Sequence, residues 1–174
     1  MKEQMNQLIN DINNKNQLAV ENALADSLIQ LYIQGGAVYD FFSGRTIGTI
    51  PINQSFDLLV AAINNKNIML LNNLMQNNRL KNFLTSKFVF PIFNEDTKSF
   101  SIRKISMEET SQVISGFLNY WTAAEITELF KKWPELQELN DKGIYALGLL
   151  NFPNSESSIL DALYDSMEKS TFSI

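Results

Sequence analysis

The stretch Ile12-Asn13-Asn14-Lys15-Asn16 recurs unchanged as Ile63-Asn64-Asn65-Lys66-Asn67, 51 residues further along a chain of 174 residues. The same offset, applied without a gap, aligns further identical residues on both sides of this stretch. These pairs are Leu8 with Leu59, Asn22 with Asn73, Val38 with Val89, Phe42 with Phe93 and Thr46 with Thr97. Self-similarity at a fixed period is typical of duplicated structural units. We therefore predict an internal duplication of a helix–strand–strand unit, over residues 5–52 and 56–105.

The hydrophobic pattern predicts the same elements in both copies. Residues 5–12 carry apolar side chains at i, i+3, i+4 and i+7, which favours a helix, and a second helix follows over 18–33. The second copy repeats this pattern over residues 56–63 and 68–84. Each copy then ends in a predicted β-hairpin. The predicted strands are 37–42 and 46–51 around Ser43-Gly44-Arg45, and 88–93 and 98–105 around Asn94-Glu95-Asp96.

The chain beyond residue 105 predicts further helices and strands. Ser106 with Glu109, and Thr122 with Glu125, have the spacing of capping boxes that begin helices. The second of these helices is expected to extend to about residue 133 and to be broken by Pro134. Short apolar runs predict strands over 114–120 and 143–150, and a final helix is predicted over 155–169.

These elements together predict a mixed α+β fold, with a small sheet and flanking helices. We expect an N-terminal helix–hairpin lobe over residues 1–53 and an α/β domain over residues 54–174, packed as one compact unit. In this view the first lobe is a partial duplicate of the unit that follows it.

Three stretches resemble the SseB family of small bacterial α/β domains, over residues 56–169. Residues 80–91 are similar to the family's opening helix and strand, which ends near a proline, and residues 116–122 to its central strand and capped helix. Residues 146–153 are similar to its apolar strand and Asn-Pro turn, although here the turn has Asn151-Phe152-Pro153. The resemblance implies a fold and no reaction, because the family has no established enzymatic activity.

The composition excludes much of enzyme chemistry. The chain has no cysteine and no histidine, so thiolate nucleophiles, cysteine or histidine metal sites and Ser-His-Asp triads are ruled out. Its net charge of −5 argues against nucleic acid as a partner. No stretch approaches the roughly 18 to 20 apolar residues that span a bilayer, so we expect a soluble cytoplasmic protein. The 20 asparagines are typical of an AT-rich genome and suggest a bacterial or phage source.

Pairs of carboxylates are the remaining candidates for catalysis or metal binding. They are Glu95/Asp96, Glu108/Glu109, Glu125/Glu128, Glu135/Glu138 and Asp161/Asp165. Such a pair can act as acid and base if burial separates the two pKa values. Each pair is expected in a turn or on the polar side of a helix, so we predict solvated surface. No cofactor and no bound metal are expected, and a carboxylate-based or hard-metal enzyme is the less favoured alternative.

Aromatic side chains are the candidates for a partner-binding site. They are Phe117, Tyr120, Trp121, Phe130 and Trp133. Aromatic residues dominate binding hot spots, but spacing at i, i+4 and i+7 equally suits a core. The helix over 68–84 has apolar residues on more than one side and is expected in the core, with a partner groove as the alternative.

The favoured function is therefore a non-enzymatic protein-interaction module of the bacterial cytoplasm, with an apolar patch rimmed by acidic groups. The alternative is an acidic secretion chaperone or a toxin-neutralising immunity protein. The partner could also be a second copy of the chain, which would make a homodimer. No contact with nucleic acid or membrane is expected.

Overall fold

The computed structural model describes residues 1–40, 44–87 and 90–147, and these form a mixed α+β fold. The helices in this part of the chain are α1 (Lys2–Asn13), α2 (Gln17–Ala25), α3 (Ser27–Ile33), α4 (Ile52–Asn64), α5 (Ile68–Leu74), α6 (Asn78–Leu84), α7 (Met107–Tyr120), α8 (Ala123–Lys132) and α9 (Pro134–Leu147). The strands are β1 (Val38–Asp40), β2 (Arg45–Gly48), β3 (Phe90–Asn94) and β4 (Ser99–Arg103). The predicted fold class is confirmed.

The four strands form the two predicted antiparallel hairpins. Strand β1 pairs with β2 and has an irregular register between Val38 and Tyr39. Strand β3 pairs with β4 in regular register, with Phe93 opposite Phe100. Each hairpin is a two-stranded sheet of its own.

The two predicted copies share their turn geometry as well as their order of elements. Two residues after the ends of α1 and α4, each copy has a lysine in the left-handed conformation, with a φ of 57° at Lys15 and 52° at Lys66. The next amide closes the turn in each copy: Asn16 donates to the carbonyl of Asp11 and Asn67 to that of Ala62, both at 2.9 Å. This six-to-one bond is the Schellman ending of a helix.

The predicted helices over 18–33 and 68–84 are each broken in two, so the prediction of continuous helices is wrong. The break lies at equivalent positions, Asp26 and Asn77. The Asp26 carboxylate accepts from the amides of Leu28 and Ile29 at 2.8 and 3.3 Å. The Asn77 side-chain oxygen accepts from the amides of Arg79 and Leu80 at 3.0 and 3.2 Å. Both residues therefore cap a new helix inside what the sequence presents as one apolar pattern.

The chain divides into two compact units, Met1–Lys81 and Asn82–Ile174. In the first unit α1 packs against α2 and α4, and α4 packs against α5. Its core is mainly aliphatic, and its fully buried side chains include Met5, Leu8, Leu58, Leu59, Ile63, Leu70 and Leu71. The predicted domain boundary between residues 53 and 54 is based on the sequence repeat. It lies inside the first compact unit, and it stays a prediction.

The second unit corrects two strand predictions. Residues 114–120 belong to α7, and residues 143–147 belong to α9. The predicted capping box of Ser106 and Glu109 is confirmed and begins α7. Val113, Ile114 and Phe117 are buried on one face of this helix, which therefore continues through residues 114–120. Residues 148–150 and the predicted helix over 155–169 lie outside the described residues.

Helices α7 and α9 pack closely at Gly143. A Cβ at this position would lie 2.4 Å from the Cδ1 of Ile114 and 2.5 Å from the Cγ2 of Thr110. A larger residue at this position would force the side chains of Ile114 and Thr110 to shift. Helix α8 begins at the confirmed capping box of Thr122 and Glu125 and ends before Pro134, as predicted.

Candidate partner-binding cleft

The predicted aromatic cluster is mostly core. Phe117, Trp121 and Phe130 are buried, and Phe117 meets each of the other two rings edge-on with centroids 5.6 Å apart. Trp133 is half-buried, with the Lys132 ammonium 5.6 Å from its ring centroid. Tyr120 is 53% exposed. Of the five candidates, Tyr120 and Trp133 alone offer surface to a partner.

Among the described carboxylates of the second unit, Glu109, Glu128 and Glu138 pair with cations, and Glu95 and Asp96 face solvent. The predicted pair Asp161/Asp165 lies outside the described residues. Both oxygens of Glu109 accept from the Arg103 guanidinium, at 2.7 and 2.6 Å. Burial alone would raise the pKa of Glu109, but the hydrogen bonds from Arg103 and Ser106 outweigh it and lower that pKa. Glu128 and Glu138 pair with Lys131 and Lys142. In the part of the chain that the structure describes, no cluster of three acidic side chains could hold a metal ion.

A cleft of about 490 Å³ lies in the first unit, where the turns after α1 and α4 come together. Its buried lining is aliphatic and consists of Ile12, Val20 and Leu24. Its exposed lining includes Ile68 and Met69, the first two residues of α5, which are 47% and 50% exposed. The cleft therefore offers an apolar base and an apolar edge of accessible side chains.

The repeated stretch supplies part of the polar wall of the cleft. The side-chain amide of Asn65 donates to the Asn13 side-chain oxygen at 3.0 Å and to the carbonyl of Ala61 at 2.9 Å. The bond to Asn13 connects the two turns. The Asn67 side-chain oxygen accepts from the amide of Leu70 at 2.9 Å and caps α5. The two copies of the duplicated stretch thus meet at one site.

Charged side chains of both signs line the cleft. Lys15 and Lys66 come from the two equivalent turns, and Asp11 and Glu21 come from the first copy alone. Each of these carboxylates accepts from the glutamine four residues away, Asp11 from Gln7 at 3.1 Å and Glu21 from Gln17 at 2.8 Å.

Sequence reasoning identified the repeated stretch but assigned it to turns and did not place it at a site. The prediction that the helix over 68–84 is core holds for Leu70, Leu71 and Leu74, which are fully buried. It misses Ile68 and Met69, which precede these residues and stay accessible. The identity of residues 12–16 with 63–67 is a signal that the sequence gives at the cleft, but it does not show that the two turns meet.

Comparison with known proteins gives no match: no family model, no curated protein and no solved structure is similar to this chain. The resemblance to the SseB family accordingly stays a prediction that depends on the stretches quoted above. Among the described helices, none combines the length and the apolar character needed to cross a membrane.

Proposed function

We propose that the protein is a non-enzymatic interaction module that binds a segment of another polypeptide in the cleft of its first unit. The observation that carries this proposal is the pair of half-exposed side chains, Ile68 and Met69, beside a buried aliphatic base. Units that repeat in sequence and stack their helices commonly present binding surfaces along the stack. A volume of about 490 Å³ lies in the range of ligand pockets and suits a few side chains of a peptide.

The energetics favour apolar recognition at this edge. Complete burial of an aliphatic side chain is worth about 1.5 to 3 kcal/mol, so covering two half-exposed side chains supplies a comparable amount. Methionine adapts its shape to different neighbours, which suits Met69 to a contact surface. Each side chain contacts water in the free protein, so its burial by a partner is a gain.

The test is selection of a displayed library of random linear peptides on the full-length protein, followed by titration of the selected peptides. We expect the peptides to bind in the cleft and Met69→Asp to weaken their binding about tenfold or more, since it places a charge on the apolar edge. Failure to select any peptide that binds the wild-type protein would contradict the proposal.

Met107→Asp is the matched control. Met107 is 48% exposed and Met69 is 50% exposed, and both lie in the first turn of a helix. An aspartate near a helix N-terminus is electrostatically favourable, so neither substitution is expected to unfold its helix. Equal loss of binding in both variants would show that the cleft is not the site.

A further inference from the structure

We propose that the cleft binds an uncharged, apolar segment of the partner, and that the side-chain amide nitrogen of Asn67 donates to a main-chain carbonyl of that segment. This inference rests on the proposed function and names both the class of partner and a positioning residue. Two observations carry it. Asn67 offers a donor beside Ile68 and Met69, and the charges that line the cleft cancel.

Asn67 uses one of its two side-chain polar atoms in the helix cap. Its oxygen accepts from the amide of Leu70 at 2.9 Å and caps α5. Its amide nitrogen carries two hydrogens and has no partner among the residues that the structure describes. Because Asn67 lines the cleft and is half-buried, an acceptor on a bound segment would complete the hydrogen bonding of this nitrogen.

The donor comes directly before the apolar edge of the cleft. Ile68 and Met69 follow Asn67 in the chain and are 47% and 50% exposed. Each residue of a peptide carries a main-chain carbonyl, so a segment whose side chain covers this edge also brings an acceptor near the donor. Ligand sites commonly combine an apolar lining with a few polar groups that fix orientation. The nitrogen of Asn67 is suited to that role.

Other polar side chains of the cleft already have partners within the protein. Gln17 donates to Glu21 at 2.8 Å, and Asn65 donates to Asn13 at 3.0 Å. Lys66 also takes part in an interaction within the protein. These groups are matched without a ligand, whereas both hydrogens of the amide nitrogen described above are available to one.

The charges that line the cleft are equal in number and opposite in sign. Lys15 and Lys66 are balanced by Asp11 and Glu21. A charged side chain of either sign would meet both attraction and repulsion there, and it would lose hydration without a dedicated partner. Charge complementarity therefore favours a segment that brings no charge into the cleft.

The test uses full-length variants that retain the helix cap and remove the donor. Aspartate and serine cap helices about as well as asparagine, so Asn67→Asp and Asn67→Ser should leave α5 intact. The serine variant adds no charge, so it separates loss of the donor from gain of a charge. Asn16→Asp is the matched control, since Asn16 caps α2 at the equivalent position and lies outside the cleft lining. Circular dichroism verifies that each variant retains its helices.

Peptides selected on the wild type are expected to carry Leu, Ile, Met or Phe flanked by uncharged residues. Replacing that apolar residue of the best synthetic peptide by Lys or by Glu should weaken binding about tenfold or more in both cases. Asn67→Asp and Asn67→Ser should each weaken binding of the unaltered peptide about fivefold, the value of one neutral hydrogen bond. Asn16→Asp should change it by less than about twofold.

Two results would overturn the inference and leave the proposed function in place. One is a set of selected peptides, sensitive to Met69→Asp, that is enriched in acidic or basic residues beside the apolar one. The other is equal binding of the selected peptides to the wild type, Asn67→Asp and Asn67→Ser. Selection of no peptide at all instead removes the proposed function, and the inference with it.

Discussion

At the scale of single residues, Arg103 and Glu109 form a two-point ion pair in the second unit. The guanidinium meets both carboxylate oxygens, and its carbon lies 5.0 Å from the centroid of the Phe83 ring. Glu109 also accepts from the amide of Ser106 at 3.0 Å and so completes the cap of α7. One side chain thereby joins the end of a hairpin to the start of a helix.

We expect Glu109→Gln to lower the free energy of unfolding at pH 7 by roughly 1 to 2 kcal/mol, because the amide keeps the cap acceptor and loses the charge-assisted bonds. The pKa of Glu109 is lowered in the folded protein. Its stabilising effect is therefore complete above the unfolded pKa of about 4.3 and disappears as the pH falls through the folded pKa. The wild type and the variant should converge in stability in that acidic range.

Urea denaturation followed by circular dichroism, over a series of pH values, measures this difference. The neighbouring Glu108 is exposed, so Glu108→Gln is the matched control and should change stability by no more than about 0.5 kcal/mol. A gap between the wild type and Glu109→Gln that stays constant at low pH would contradict the assigned role.

Among the elements, α8 shows how a capping residue begins a helix. The Thr122 hydroxyl accepts from the amide of Glu125 at 3.3 Å, and the Glu125 carboxylate accepts from the amide of Thr122 at 2.9 Å. We expect Thr122→Ala to lower the free energy of unfolding by about 1 kcal/mol, because the amide of Glu125 loses its acceptor. Thr127→Ala, an exposed threonine in the same helix, should have a smaller effect in the same denaturation experiment.

At this scale the sequence predicted the hairpins, the capping boxes and the first helix of each copy. It failed at Asp26 and Asn77, because one capping residue inside a continuous apolar pattern does not alter the periodicity. It also failed at 114–120 and 143–147, since short apolar runs are equally compatible with strands and with buried helix segments. Residues 114–120 continue the helix whose capping box begins at Ser106. Residues 143–147 belong to α9, which packs closely against α7 at Gly143.

The candidate site was harder to predict from the sequence than the helices and hairpins, because it depends on tertiary packing. The identity of residues 12–16 with 63–67 is visible in the sequence, but only the packing of α1 on α4 brings the two turns to one cleft. Exposure of Ile68 and Met69 could not be predicted either, since their helix is otherwise lined with buried residues. Phe117, Trp121 and Phe130 are buried, which agrees with the core packing that their spacing predicted as the alternative to a binding site.

For the whole molecule, the stacking of α1 on α4 predicts how the chain responds to truncation. A fragment of residues 54–174 lacks α1, whose main chain at Lys2 accepts a bond from the Gln54 side chain and whose face covers α4. We expect this fragment to have a lower melting temperature than the full chain, because buried side chains such as Leu58 and Leu59 lose cover. Thermal melting by calorimetry measures the change.

A fragment of residues 1–81 is the comparison, since it retains α1 to α5 and corresponds to the first compact unit. It should melt cooperatively. If residues 54–174 melted as a cooperative unit at the temperature of the full chain, α4 would not depend on α1, and the first 53 residues would be an independent lobe.

The placement of Trp121 and Trp133 has a practical consequence for such measurements. Both tryptophans of the chain belong to the second unit, one packed against Phe117 and the other half-buried beside Lys132. Indole fluorescence therefore reports on the second unit alone, whereas the far-ultraviolet helical signal averages over both. Recording the two signals on one unlabelled sample distinguishes concerted melting, in which the curves superimpose, from stepwise melting, in which they separate.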